Sequence, residues 1–266
     1  MRKLTFISAI GISLLTIVAL YFQMIHPYQI QVRDHFVSSA HIPSAFNGAR
    51  LIQISDLRIE TNRDVRALER VVDQINDLSP DMVAFTGDLF GPAAVSSSVR
   101  EETRRILSAI QADMGKIAVL GTLDLEREEE ITEILTAADF HILRNEAREF
   151  FNMSEAGIVF LGMDPISHGN DPALILPRIQ QPDMFQILLT HEGHLAAHIV
   201  NHPIGLQMSG YCLGRSRPPL QCSQFSRGAF RFADQLVNIS SGVGTDNSIF
   251  GFLKRPSIDS FLLMRQ

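Results

Sequence analysis

Lysine is almost missing from this 266-residue chain: Lys3, Lys116 and Lys254 are the only ones, so arginine carries nearly all the positive charge. Arginine suits carboxylate and anion pairing, although a genome-wide compositional preference accounts for the same bias. There is no long basic run, and the formal net charge is −6, which argues against nucleic acid as the main partner. Cysteine is scarce too. Cys212 and Cys222 stand close enough in sequence to close a small disulfide in an oxidising compartment, or to remain two thiols elsewhere. No internal repeat or low-complexity tract interrupts the chain, and its length suffices for one large α/β domain with a full core.

Charge is also absent from Leu4 to Phe22, a run that follows Arg2 and Lys3. It is long enough to span a bilayer, longer than the apolar core of most signal peptides, and closed by no small-x-small cleavage site. It reads as an uncleaved single-pass anchor over residues 1–23. Lys and Arg precede it and do not return until Arg33, which puts the N-terminus in the cytoplasm and the domain on the outer side. Residues 24–44 read as a connector with an extended piece from Tyr28 to Val32, and residues 45–266 as the folded domain.

Within that domain, apolar strands end repeatedly in a carboxylate. Leu51-Ile52-Gln53-Ile54-Ser55-Asp56, Met82-Val83-Ala84-Phe85-Thr86-Gly87-Asp88 and Ile117-Ala118-Val119-Leu120-Gly121-Thr122-Leu123-Asp124 share this form. In open α/β sheets the chemistry lies at the carboxyl ends of the strands, so Asp56, Asp88 and Asp124 define a rim. Between them lie helical patterns. Val65, Leu68, Val71, Val72 and Ile75 share a helical face; Ser97 to Asp113 and Glu126 to Ala138 are the next two helices. Strands follow at Phe140–Leu143, Ile158–Met163, Met184–Thr190 (ending at His191), Gly205–Ser209, Leu236–Ser240 and Phe261–Met264. The pattern predicts two packed mixed β-sheets with helices outside.

His191, His194, His198 and His202 recur at steps that a helix would bring onto one face. That is either a solvated helix face or a zinc or copper patch. The loop from Gly91 to Ser98, rich in Ala and Ser, reads as a lid or as a merely flexible connection.

The order strand-Asp, strand-Gly-Asp, strand-Gly-x-x-Asp, strand-Thr-His, strand-Ser-Gly-x-x-x-Gly resembles the calcineurin-like metallophosphoesterases, in particular their membrane-anchored branch with UDP-diacylglucosamine pyrophosphatase-like enzymes. The likeness covers most of residues 45–266, with Leu143-Arg144-Asn145-Glu146, Ser241-Gly242-Val243-Gly244-Thr245 and Arg255-Pro256-Ser257-Ile258 as supporting stretches. It implies a four-layer sandwich and two metals held through Asp-x-His, Gly-Asp, Gly-Asn-His-(Asp/Glu), a lone His and Gly-His-x-His. Here Asp56, Asp88 and His191 keep metal-ligand positions, and Asp124 keeps the last place of the third motif. Arg58 stands for the first His, Thr122 for the Asn, and Tyr211 and Leu213 for the last two His; Leu123 replaces the proton donor.

A guanidinium at Arg58 would supply the charge a metal would bring and bridge Asp56 to Asp88; the alternative is a surface arginine. Asp88 and His191, with only the hydroxyls of Thr122 and Tyr211 beside them, leave at most one divalent metal (Mn, Zn or Fe). Arg58, Arg215 and Arg217 are candidates for holding a phosphate or a lipid head group. The expectation is a membrane-anchored homologue that has lost two-metal hydrolysis and binds a ligand or protein partner; the alternative is a divergent one-metal phosphohydrolase.

Overall fold

The computed structural model describes residues 30–171, 183–199, 202–210, 228–233, 235–244 and 256–266, with the single positions 11, 13, 14, 16 and 17. Its apolar strands assemble into two mixed sheets of six. The first has the spatial order β1 (Gln31–Ser39), β12 (Ser257–Arg265), β2 (Arg50–Ile54), β3 (Met82–Phe85), β4 (Gly115–Ala118), β5 (Phe140–Ile142). From β2 to β5 its strands are parallel; β12 is antiparallel to β2 and parallel to β1. The second runs β10 (Gly228–Phe232), β11 (Gln235–Ile239), β9 (Leu206–Ser209), β8 (Gln186–Thr190), β7 (Gly157–Met163), β6 (Glu146–Phe151).

Side-chain alternation fixes which sheet face meets which layer. Leu51, Met82, Ala84 and Ile117 from the first sheet, with Ile158, Phe160, Ile187, Leu189, Leu206 and Met208 from the second, fill the space between sheets. The opposite face of the first sheet, through Ile52, Ile54, Val83 and Phe85, packs on three helices. These are α1 (Asn62–Asp77), α2 (Ser97–Ser108) and α3 (Glu128–Ala137). Helix α1 buries Val65, Leu68, Val71, Val72 and Ile75, the face its spacing announces, and opens on a Thr61–Asp64 capping box.

Some expectations are corrected. Helix α2 stops at Ser108 rather than Asp113 because Asn76 captures the chain there: it donates to Ala109 O and accepts from Gln111 N. A separate 3-10 turn, Asp124–Arg127, precedes α3, since the Asp124 carboxylate is drawn back onto neighbouring loops. Among the described residues the histidine segment forms no α-helix: Gly193–Ala197 is a 3-10 turn with Leu195 and Ala196 buried. Strand β1 lies within the stretch read as a connector, and β6 and β10 had no apolar run to announce them.

No helix among the described residues is long and apolar enough to cross a membrane. Most of the expected anchor from Leu4 to Phe22 lies outside those residues, as do Tyr28, Tyr211, Cys212, Leu213, Arg215, Arg217 and Cys222.

Candidate functional site

The carboxyl ends of β2, β3 and β8 deliver Asp56, Asp88 and His191 to one point. One ligand-type atom from each lies within 4.8 Å of the others, and all three residues are buried. Local backbone geometry aims them. Asp56, Arg58 and Asp88 hold φ of 51°, 46° and 61°, a left-handed conformation that non-glycine residues adopt at a cost of about 1–3 kcal/mol each. Neighbouring loops hold these bends: Asp56 N donates to Gly87 O at 2.8 Å, Arg58 N to Asp88 O at 3.1 Å, and Gly244 N to Asp56 O at 2.8 Å. Gly87 and Gly121 permit the loops to touch. A Cβ at Gly121 would stand 2.4 Å from Asp88 N and from Asp88 Oδ1, and one at Gly87 2.4 Å from Gly121 N.

Arg58 does not project into solvent. Its Nη2 donates to Asp56 Oδ1 at 3.2 Å and to Asp88 Oδ2 at 2.8 Å, with the side chain 18 % exposed. Asp56 Oδ2 accepts in addition from Ser55 Oγ at 2.8 Å, and Asp88 Oδ1 from the backbone N–H of Leu123 at 2.9 Å. His191 Nε2 lies 3.4 Å from that same Asp88 Oδ1, while its Nδ1–H donates to Thr86 O at 2.7 Å and fixes the ring. Thr122 Oγ1 is buried with no hydrogen-bond partner among the described residues.

Electrostatics follow from this proximity. Burial works against charge on His191, but Asp88, Asp56 and the Thr86 carbonyl outweigh it and lift the imidazole to about 10. Burial likewise pushes Asp88 up, and His191, Arg58 and the Leu123 N–H overcome it, holding the carboxyl well below the usual range. Arg58 is desolvated yet raised by the two carboxylates. Two anions and two cations share the pocket, so Arg58 offers little uncompensated charge to an incoming anion.

Asp124 takes a different place from the other rim carboxylates. Fully buried, it accepts from the backbone N–H groups of Asp88 (2.8 Å), Leu89 (2.9 Å) and Gly121 (2.8 Å), tying the loops after β3 and β4 together. Burial and the Asp88 charge push it up to about 6 against the pull of the Gly121 and Leu89 N–H groups. His194, with its Nε2 3.9 Å from Glu192, belongs to another cluster; the Glu192 carboxylate is spent on the backbone N–H groups of Ile166 and Ser167. The loop from Gly91 is not loose: Arg127 Nη2 donates to Gly91 O and Ala93 O, and Glu60 Oε1 accepts from Ala93 N.

Sequence reasoning missed the layer beneath the site. Gln53 Nε2 donates to Thr86 Oγ1 and Ser209 O at 3.0 Å each, and Asn238 Nδ2 donates to Gln53 Oε1 at 2.8 Å, joining the two sheets under His191. Its one visible signal was a glutamine inside the apolar run Leu-Ile-Gln-Ile.

Among the described residues one group could hold a metal, Asp56, Asp88 and His191, and the Arg58 guanidinium already lies on both of its carboxylates.

No protein-family model matches the chain. It is 25 % identical to the metallophosphoesterase YkuE of Bacillus subtilis over 256 residues, 91 % of this chain and 88 % of that one. A stretch of 78 residues is 36 % identical to the UDP-2,3-diacylglucosamine pyrophosphatase LpxG of Chlamydia muridarum, of which it spans 23 %. A zebrafish transmembrane protein with a metallophosphoesterase domain is 25 % identical over 234 residues, covering 80 % of this chain and 53 % of that protein. Among solved structures, TT1561 of Thermus thermophilus superposes with a TM-score of 0.52 at 16 % identity, over 75 % of this chain and 92 % of that one.

Proposed function

We propose that this chain is a member of the calcineurin-like metallophosphoesterase family that has lost two-metal hydrolysis and acts as a binding domain for a ligand or a protein partner. The observation that carries this is the Arg58 guanidinium bonded to Asp56 and Asp88. It supplies fixed positive charge where the family pattern places a metal between those carboxylates, and it has no open coordination position at which to activate water. Leu123 adds to the loss, since general acid–base help is worth about 10²–10⁴-fold. The uncharged run from Leu4 to Phe22 supports tethering of the domain to a membrane, as does the similarity to the zebrafish transmembrane protein.

Elemental analysis after loading with Mn²⁺ or Zn²⁺, run on the wild type and on Arg58→His, tests the proposal. The wild type is expected to hold no more than one equivalent, and the variant, with an imidazole two residues from Asp56, to gain metal. Two equivalents in the wild type, with phosphodiester hydrolysis abolished by Asp88→Ala, would overturn it.

One feature favours a second reading, a one-metal phosphohydrolase. Thr86 orients His191 so that Nε2 faces Asp88, and the buried Thr122 hydroxyl lacks a partner among the described residues. That reading requires one equivalent of metal in the wild type, lost together with turnover in both Asp88→Ala and His191→Ala.

A further inference from the structure

The geometry points to β1 as a dimerisation edge, pairing antiparallel with β1 of a second copy about a two-fold axis at Phe36. Among the described residues strand β1 ends the first sheet and bonds on one side alone, to β12. At its two ends Gln31 N donates to Pro256 O, and Ser39 O accepts from Gln266 N. In a parallel ladder alternate residues bond to the same neighbour. The odd-numbered residues therefore face β12, and the N–H and C=O groups of Val32, Asp34, Phe36 and Ser38 point away from it. An unpaired edge of this kind is a template for another strand.

The side chains say which strand fits. On the sheet face away from the inter-sheet core, Phe36 is 69 % exposed beside its register partner Leu262, and Met264 is 40 % exposed opposite Ser38. Neither proline nor a bulge guards the edge. Antiparallel pairing of two identical edges places residues of equal parity opposite each other, so only a few registers exist. An axis at Asp34 would set two carboxylates face to face, and one at His35 would oppose two histidines and put Asp34 against Phe36. With the axis at Phe36, the two phenyl rings meet. Asp34 then lies opposite Ser38, Arg33 opposite Ser39 and His35 opposite Val37, with no like charges opposed. The Asp34–Ser38, Phe36–Phe36 and Ser38–Asp34 pairs use the outward-facing backbone groups. The two first sheets become continuous, and an apolar strip of Phe36, Leu262 and Met264 from both copies is covered.

Cysteine scanning of the full 266-residue chain, with Cys212 and Cys222 changed to Ser, tests the register. Hydrogen-bonded antiparallel partners have Cα atoms about 5.5 Å apart, within disulfide reach, whereas residues four positions out of register are roughly 14 Å apart. Under mild oxidation Phe36→Cys is expected to shift to a disulfide dimer by itself. Asp34→Cys and Ser38→Cys are expected to do so only when mixed. Ser38→Pro, which removes an outward N–H and leaves the β12 ladder intact, is expected to shift the otherwise unmodified chain from dimer to monomer in sedimentation. A monomeric wild type, or an Asp34→Cys chain that cross-links to itself as well as Phe36→Cys does, would overturn the assignment. Either outcome would leave the reading of the Arg58 site untouched.

Discussion

Nη2 of Arg58 lies 2.8 Å from Oδ2 of Asp88, and the same nitrogen reaches Asp56 at 3.2 Å, so one guanidinium bridges two buried carboxylates, with His191 beside Asp88 as the second cation. Breaking a buried pair costs more than the pair contributes, because the remaining charges stay desolvated. Arg58→Met should therefore lower stability by about 3–5 kcal/mol in urea unfolding. A double change to Asn at Asp56 and Asp88 in that background should recover part of the loss. A single Arg58→Met variant as stable as the wild type would mean that the carboxylates are paired elsewhere.

Asp124 holds three backbone N–H groups from two loops. Removing it leaves those donors buried and unpaired at about 1–3 kcal/mol each. Asp124→Ala should cost at least about 3 kcal/mol and also displace Asp88. Calorimetry checks the first effect. Chemical shifts of the Leu123 amide, which donates to Asp88, check the second.

Stability should depend on pH through His191. Its folded-state value is raised to about 10 from an ordinary 6.5. The folded form thus keeps a proton that the unfolded form releases, so this contribution is fully present below 6.5 and is lost as pH rises through 10. The urea midpoint of the wild type should fall across that window. His191→Gln, which can still donate to the Thr86 carbonyl, should start lower and fall less. Parallel pH profiles for the two proteins would show that His191 is neutral in the fold.

Much of this was legible from residues because local and global signals agreed. Apolar runs ending in Asp56, Asp88 and His191 mark strands from both sheets whose carboxyl ends meet at one point, and the spacing Val65, Leu68, Val71, Val72, Ile75 names the buried face of α1. What failed were places where a distant partner overrides local propensity. Asn76 ends α2 from another helix, and the Asp124 carboxylate converts an expected helix start into a 3-10 turn. The histidine segment, with Leu195 and Ala196 buried, makes a 3-10 turn over Gly193–Ala197 in place of an α-helix. Edge strands β6 and β10, with one face in solvent, carry charged residues where a buried strand would be apolar.

Gly87 makes a separate test of how tightly the site is built. Its φ of +93° disfavours any side chain, and a Cβ there would meet Gly121 N at 2.4 Å and His191 Nδ1 at 2.9 Å. Gly87→Ala should destabilise by about 1–3 kcal/mol and push the two loops apart. A drop in the ordinarily raised His191 value, followed by NMR titration, would report that separation directly.

The loop after Phe90 offers the last test, because two side chains fasten it ahead of its one buried apolar anchor, Val95. Arg127 reaches the carbonyls of Gly91 (2.6 Å) and Ala93 (3.1 Å), and Glu60 accepts from Ala93 N at 3.2 Å. Glu60 sits two residues beyond Arg58, so the loop is fastened to the same bend that carries the guanidinium. Replacing Arg127 by Ala should leave global stability within about 1 kcal/mol, since the side chain is partly exposed, yet raise amide exchange and proteolytic cleavage across residues 91–96. Unchanged protection there would mean that Glu60 alone suffices. Protection lost together with Arg58 contacts would mean that loop and site open as one unit.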